Sequence, residues 1–191
     1  MTQGLFDIRP GFLMLLTAAW LLDRDGVFAV CFAAAGLHEL GHLAAIWLCG
    51  GTVRRITLDL DGGCIRHGAL SPRGEAVTAL AGPAVNFAAA LVCAVLPAAL
   101  ASERLVLFAG ANMALGLYNL LPVRPLDGGR FWEILGGQRL FSMLELPVCV
   151  GFLNFGLYIC LKTRYNGTVM CAGLVLTARV LLRYFTKERM I

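Results

Sequence analysis

The sequence predicts an all-α polytopic membrane protein of about six transmembrane helices, with a small β-hairpin at the membrane surface. Three observations predict it. The 191-residue chain is 59% hydrophobic and only 15% charged, with a mean hydropathy of +0.76, whereas a soluble domain is about half apolar and about a quarter charged. Apolar runs close to the ~20 residues needed to cross a bilayer recur along its length. Between two of them, one stretch alternates apolar and polar residues with the period of a strand.

The first apolar run, about 10–22, is short. Arg9 precedes it and Asp23-Arg24-Asp25 follows with no small-x-small cleavage site, so it reads as a retained span rather than a signal peptide. The second run, 27–49, carries two histidines and a glutamate. In the following loop, 50–75, Ile56-Thr57-Leu58-Asp59-Leu60-Asp61 alternates, Gly62-Gly63 supplies a turn, and Cys64-Ile65-Arg66 returns as a second strand. An open strand edge at a membrane surface is a hazard unless it serves to pair with something. Runs at 76–101 and 105–123 complete the middle of the chain. A loop at 124–140, rich in Gly and Arg and carrying Trp132 at an interfacial position, leads to the last two spans, 141–161 and 168–185.

Six spans put the N-terminus, the 50–75 loop, the 124–140 loop and the C-terminal end on one side. That side holds Arg9, Arg54, Arg55, Arg66, Arg73, Arg124, Arg130, Arg139, Arg179, Arg183, Lys187 and Arg189, against Arg24, Arg104, Lys162 and Arg164 on the other. Positive residues concentrate on the cytoplasmic side of membrane proteins, so both termini are expected to be cytoplasmic. The net charge of +4 is too weak, and too evenly spread over loops, to argue for nucleic acid, and no nucleic-acid partner is expected. The seven cysteines form no C-x-x-C pair and lie mostly in apolar runs, where they read as packing residues.

Chemistry concentrates in His38-Glu39-Leu40-Gly41-His42, an HExxH string inside the second run. Residues four apart share a helix face, so both imidazoles can address one ion with Glu39 beside them. A His-Glu-His cluster buried among apolar residues without a metal would leave costly polar groups. Catalytic zinc takes three protein ligands and keeps one position open, so a third ligand is required. Asp127 stands out because it ends Asn119-Leu120-Leu121-Pro122-Val123-Arg124-Pro125-Leu126-Asp127-Gly128-Gly129, a helix-breaking segment of a kind tolerated at a membrane only where it is buried in protein or lines a cavity. Taken alone, Asp127 reads first as a helix N-cap or turn aspartate.

HELGH together with NLLPVRPLDGG resembles the site-2 protease family of intramembrane zinc metalloproteases. A third element, Ala81-Gly82-Pro83-Ala84-Val85-Asn86, resembles that family's Gly-Pro-x-x-Asn segment. The resemblance covers roughly residues 27–130, a catalytic core within a single domain over 1–191, with 10–22, 141–161 and 168–185 as accessory helices. It implies one zinc per chain held by His38, His42 and Asp127, with Glu39 as catalytic base and Asn86 and Asn119 shaping the site. It implies an endopeptidase of the bacterial cytoplasmic membrane that cuts transmembrane or membrane-associated proteins near the cytoplasmic face. In this family a strand near the active site is thought to hold the unwound substrate, and Ile56, Thr57, Leu58, Asp59 and Leu60 would offer that edge by strand addition. The compact form resembles the sporulation-type members without an appended CBS or PDZ domain. Arg124 departs from the family pattern, in which an apolar or small residue is common.

Other residues read more plainly. His67 is expected as a surface histidine. Asn86 and Asn119, apart from the resemblance, read as interhelical glue. Arg183, Lys187 and Arg189 read as a topology signal in contact with lipid headgroups, and Glu145 beside Pro147 as facing the interface. Two further readings compete: a catalytically silent relative that sequesters helices, and a zinc hydrolase of non-protein substrates. The intact ligand set argues against the first.

Overall fold

A computed structural model of the chain describes residues 5–23, 25–59, 62–97, 102–163 and 167–188. The chain divides into two units, Met1–Asn119 and Leu120–Ile191. The first unit holds strand β1 (Phe6–Ile8), helices α1 (Pro10–Leu22) and α2 (Val27–Leu48), strands β2 (Val53–Asp59) and β3 (Gly62–His67), and helices α3 (Pro72–Val95) and α4 (Glu103–Asn119). The second holds α5 (Asp127–Thr163) and α6 (Thr168–Glu188).

Each predicted span contains a helix, with shifted ends. Among the described residues, four helices, α2, α3, α5 and α6, are long and apolar enough to cross a membrane. Helix α1, with 13 residues, is about 20 Å long, short of a hydrocarbon core of about 30 Å. Helix α3 begins at Pro72 rather than 76 because Ser71 caps it, accepting the Gly74 N–H at 3.1 Å, with Pro72 suited to the first turn. It ends at Val95, and residues 98–101 of the predicted span lie outside the described residues. Helix α4 stops at Asn119, short of the predicted 123, because Pro122 cannot continue it. The expected loop 124–140 is largely helical: α5 opens at Asp127, includes Trp132, and is interrupted only at Gly137, with φ of 73° and ψ of 165°.

Three corrections concern the sheet. Asp59 pairs with Gly62, so Gly62 and Gly63 are strand residues and not the turn; Leu60 and Asp61 lie outside the described residues. The second correction is a strand with no sequence signal, β1, which pairs parallel to β2 with Phe6 opposite Ile56 and Ile8 opposite Leu58. Backbone bonds from Ile56 to Leu5 (2.8 Å) and from Arg9 to Leu58 (3.0 Å) seal that side. Ion pairs Arg9–Asp59 (2.8 Å) and Arg55–Asp7 (3.1 Å) flank it. The third follows: β2, order β1-β2-β3, is central, so Ile56, Thr57, Leu58 and Asp59 have no free edge. The edge strand that meets α2 is β3, at Gly63 and Glu39. Because Ile56 and Leu58 bond toward β1, Thr57 and Asp59 bond toward β3, and strand alternation turns the N–H and C=O of Gly63 and Ile65 outward.

Two polar residues also depart from expectation. The His67 side chain is only 8% exposed and faces Glu75, so it is not a surface histidine. Glu145 does not face the interface: it is buried and lies 2.8 Å from Arg183 Nη1, which is therefore more than a headgroup contact. All seven cysteines are free thiols.

Candidate metal centre

Helix α2 is rich in small residues, and α3 packs closely along it. His38 and His42, one turn apart, both turn into that contact and are 6% and 9% exposed. Each ring is held through its Nδ1. His42 Nδ1 lies 2.7 Å from the carbonyl oxygen of Thr78, which can only accept, so Nδ1 carries the proton. His38 Nδ1 lies 2.6 Å from Asn86 Oδ1. The orientation of the Asn86 amide is set by its other partners, since Nδ2 donates to the Ala34 carbonyl (3.2 Å) and to Asn112 Oδ1 (2.7 Å). Asn112 in turn donates from Nδ2 to the Phe108 carbonyl at 2.9 Å. The chain of amides is thus anchored on backbone carbonyls at both ends, and both histidines are assigned as the Nδ1–H tautomer.

That assignment has a chemical consequence. The two Nε2 atoms lie 3.1 Å apart and both present lone pairs, so they cannot hydrogen-bond to one another. Two zinc–nitrogen bonds of about 2.0–2.1 Å at a tetrahedral angle put their nitrogens about 3.3 Å apart. The pair therefore fits a divalent metal, with Asn86 and the Thr78 carbonyl as the outer partners that fix ring orientation. Gly82 completes the cradle. A Cβ there would run into His42 Nε2 and would sit 2.7 Å from Cε1 of both rings, so only glycine leaves the two rings room to converge. Pro83, within α3, and Asn86 follow it on the same helix.

Glu39, next to His38 on α2, is partly exposed and reaches β3. A Cβ on Gly63 would lie 2.9 Å from its carboxyl carbon. The edge strand and the carboxylate are thus in contact, which the predicted role of the 56–60 strand did not anticipate.

Of the residues singled out in the sequence, the first unit brings together His38, Glu39, His42 and Asn86. Asn119 closes α4 and donates from Nδ2 to its own helix at Leu115 (3.1 Å). Asp127 opens α5 in the second unit. There Gly128 and Gly129 lie directly on the turn before them: a Cβ on Gly128 would strike the Leu120 carbonyl, and one on Gly129 would lie 2.6 Å from that of Val123. Asn112 and Thr78 were not singled out in the sequence, and Gly63 was read only as a turn residue; Asn112, an asparagine in an apolar run, had the polarity that could have marked it.

A model of the M50B-like peptidases matches residues 12–131. Rip3 of Mycobacterium tuberculosis, a candidate zinc metalloprotease, is 37% identical over 121 residues, covering 58% of this chain and 30% of that protein. The zinc metalloprotease MJ0392 of Methanocaldococcus jannaschii is 30% identical over 168 residues, covering 85% of this chain and 48% of its own. Stage IV sporulation protein FB of Bacillus subtilis is 30% identical over 137 residues, 68% of this chain and 47% of its own. This chain therefore spans at most about half of these relatives. The solved site-2 protease of Methanocaldococcus jannaschii shares the fold, with a TM-score of 0.63 at 21% identity over 93% of this chain and 89% of its own. On the family match and these relatives, the chain is an integral membrane protein that belongs to the M50B-like peptidases, the site-2 protease family.

Proposed function

We propose that this chain is a zinc-dependent endopeptidase that cuts transmembrane or membrane-associated proteins, the reaction of regulated intramembrane proteolysis. The observation that carries the reading is the convergence of two Nε2 lone pairs at 3.1 Å beside a glutamate. His38, His42 and Asp127 would hold one zinc ion, an imidazole and carboxylate set suited to that metal. When bound, zinc supplies Lewis acidity, polarising the scissile carbonyl and bringing the pKa of water to about 7. Glu39 takes the proton of the attacking water and delivers it to the leaving amine. Asn86 and Thr78 hold the rings still, and Asn119 lies at the end of α4 where it would help to shape the site. With six spans, the Lys/Arg asymmetry sets both termini and the site toward the cytoplasmic face of a bacterial membrane.

Metal analysis tests the ligand set. His38→Ala and Asp127→Ala should each lose most bound zinc and most cleavage of a substrate helix in detergent, because a removed ligand is a removed metal bond. Full zinc occupancy in Asp127→Ala would break the assignment.

A helical substrate must unwind before its amides can react, because they are bonded within the helix. We assign β3, not β2, as the edge that holds it, with Gly63 and Ile65 supplying the backbone groups beside Glu39. Proline is tolerated at an edge and removes one donor. Ile65→Pro should therefore cut cleavage about tenfold, the worth of roughly one hydrogen bond, with zinc content unchanged. Unchanged cleavage would return the sheet to a structural role.

A further inference from the structure

Glu145 and Arg183 form an ion pair that the proposed chemistry does not use. Glu145, on α5, is 3% exposed, and its partner comes from α6. Charges in apolar helices are costly, and a buried pair adds little stability over apolar side chains of like volume. What the pair touches is more informative. Glu145 Oε1 accepts the backbone N–H of Arg124 at 3.0 Å, and Arg183 Nη2 donates to the Arg124 carbonyl at 3.1 Å. One carboxylate and one guanidinium thus hold both polar groups of a single residue.

That residue is at the centre of the turn between α4 and α5. The turn's internal bonds run from Val123 N–H to Leu121 (2.7 Å) and from Leu126 N–H to Val123 (2.9 Å). Pro122 and Pro125 donate nothing, so the Arg124 peptide is tied down by side chains from beyond the turn. The Arg124 side chain adds to this, pairing with Glu133 and lying 5.2 Å over the Phe141 ring. Asp127 follows three residues later.

We propose that Glu145 and Arg183 are positioning residues: they clamp the Arg124 peptide and thereby fix where the turn presents Asp127. The proposal rests on the reading of Asp127 as a ligand. Both residues lie beyond the stretch matched by the family model, which ends at residue 131, so α6 and the later turns of α5 supply the support for a motif that ends in the first turn of α5. A metal ligand held by an ordered backbone keeps its geometry, and loss of such outer support typically costs about 10–100-fold in metal affinity.

The test uses the full chain in detergent and two variants. Glu145→Leu/Arg183→Leu removes the charges together, so no buried charge is stranded. Arg183→Lys keeps the charge but loses the two-pronged reach to Glu145 and the Arg124 carbonyl at once. Hydrogen exchange of the 120–126 segment is followed in metal-free protein, and zinc affinity by chelator competition. The double variant should keep its thermal midpoint, exchange at Arg124 at least about tenfold faster, and bind zinc about 10–100-fold more weakly. Arg183→Lys should show the same changes at severalfold. Unchanged exchange and zinc affinity in the double variant overturn the proposal. If that variant fails to fold, the same unchanged result in Arg183→Lys does so. Asp127→Ala, run beside them, should lose zinc while Arg124 stays slow to exchange. Retained zinc there defeats the ligand reading itself, whereas zinc loss there with intact clamp variants defeats the clamp alone.

Discussion

Glu39→Gln should stop turnover and leave zinc in place. Glu39 is on α2 beside His38, partly exposed, and its carboxyl group contacts β3 at Gly63. Glutamine has the same length and can keep the contact with the strand, but it cannot accept a proton from water. Loss of a general base costs about 10²–10⁴ in rate. The measurement is cleavage of a substrate helix in detergent beside metal analysis of the same preparation. A loss in that range with full zinc assigns Glu39 to proton transfer. Zinc loss would make it a ligand instead, and full activity would sink the mechanism.

Gly82→Ala should weaken zinc binding about a hundredfold or more without replacing any ligand. The added methyl would collide with His42 Nε2 and lie 2.7 Å from Cε1 of His38, so it takes up the space where the two lone pairs converge. The neighbours that would have to yield are rings held at Nδ1 by Asn86 and Thr78, and moving either ring breaks a buried hydrogen bond worth about 1–3 kcal/mol. Zinc affinity should fall about a hundredfold or more, the upper range for disturbed outer support, and activity with it. Gly110→Ala on α4 is the control, since its methyl meets nothing within 4 Å and alanine favours a helix. Normal zinc in Gly82→Ala would mean that the metal does not sit between these nitrogens.

Local information in the sequence reaches as far as periodicity, composition and short motifs carry it. Apolar runs located all six helices, because length and hydropathy are properties of a segment by itself. The four-residue spacing of His38 and His42 placed them on one helix face for the same reason, and alternation marked residues 56–59 as strand. Helix ends were less legible where caps and breakers decided them, as Ser71 and Pro122 did.

What the sequence by itself determined, then, is the class, the segments and the two histidines with their glutamate. The tertiary structure decided which strand edge is open, since β1 is three residues long and acquires meaning only by pairing with β2 across some fifty residues of chain. It decided the tautomers of both histidines, through Asn86, Asn112 and the Thr78 carbonyl, three partners brought to α2 from α3 and α4. It also decided that Glu145 and Arg183 are partners around one peptide rather than two separate residues at a membrane surface. In each case the physical reason is the same: hydrogen bonds and ion pairs between elements depend on which groups packing brings within 3 Å, and no local pattern records that.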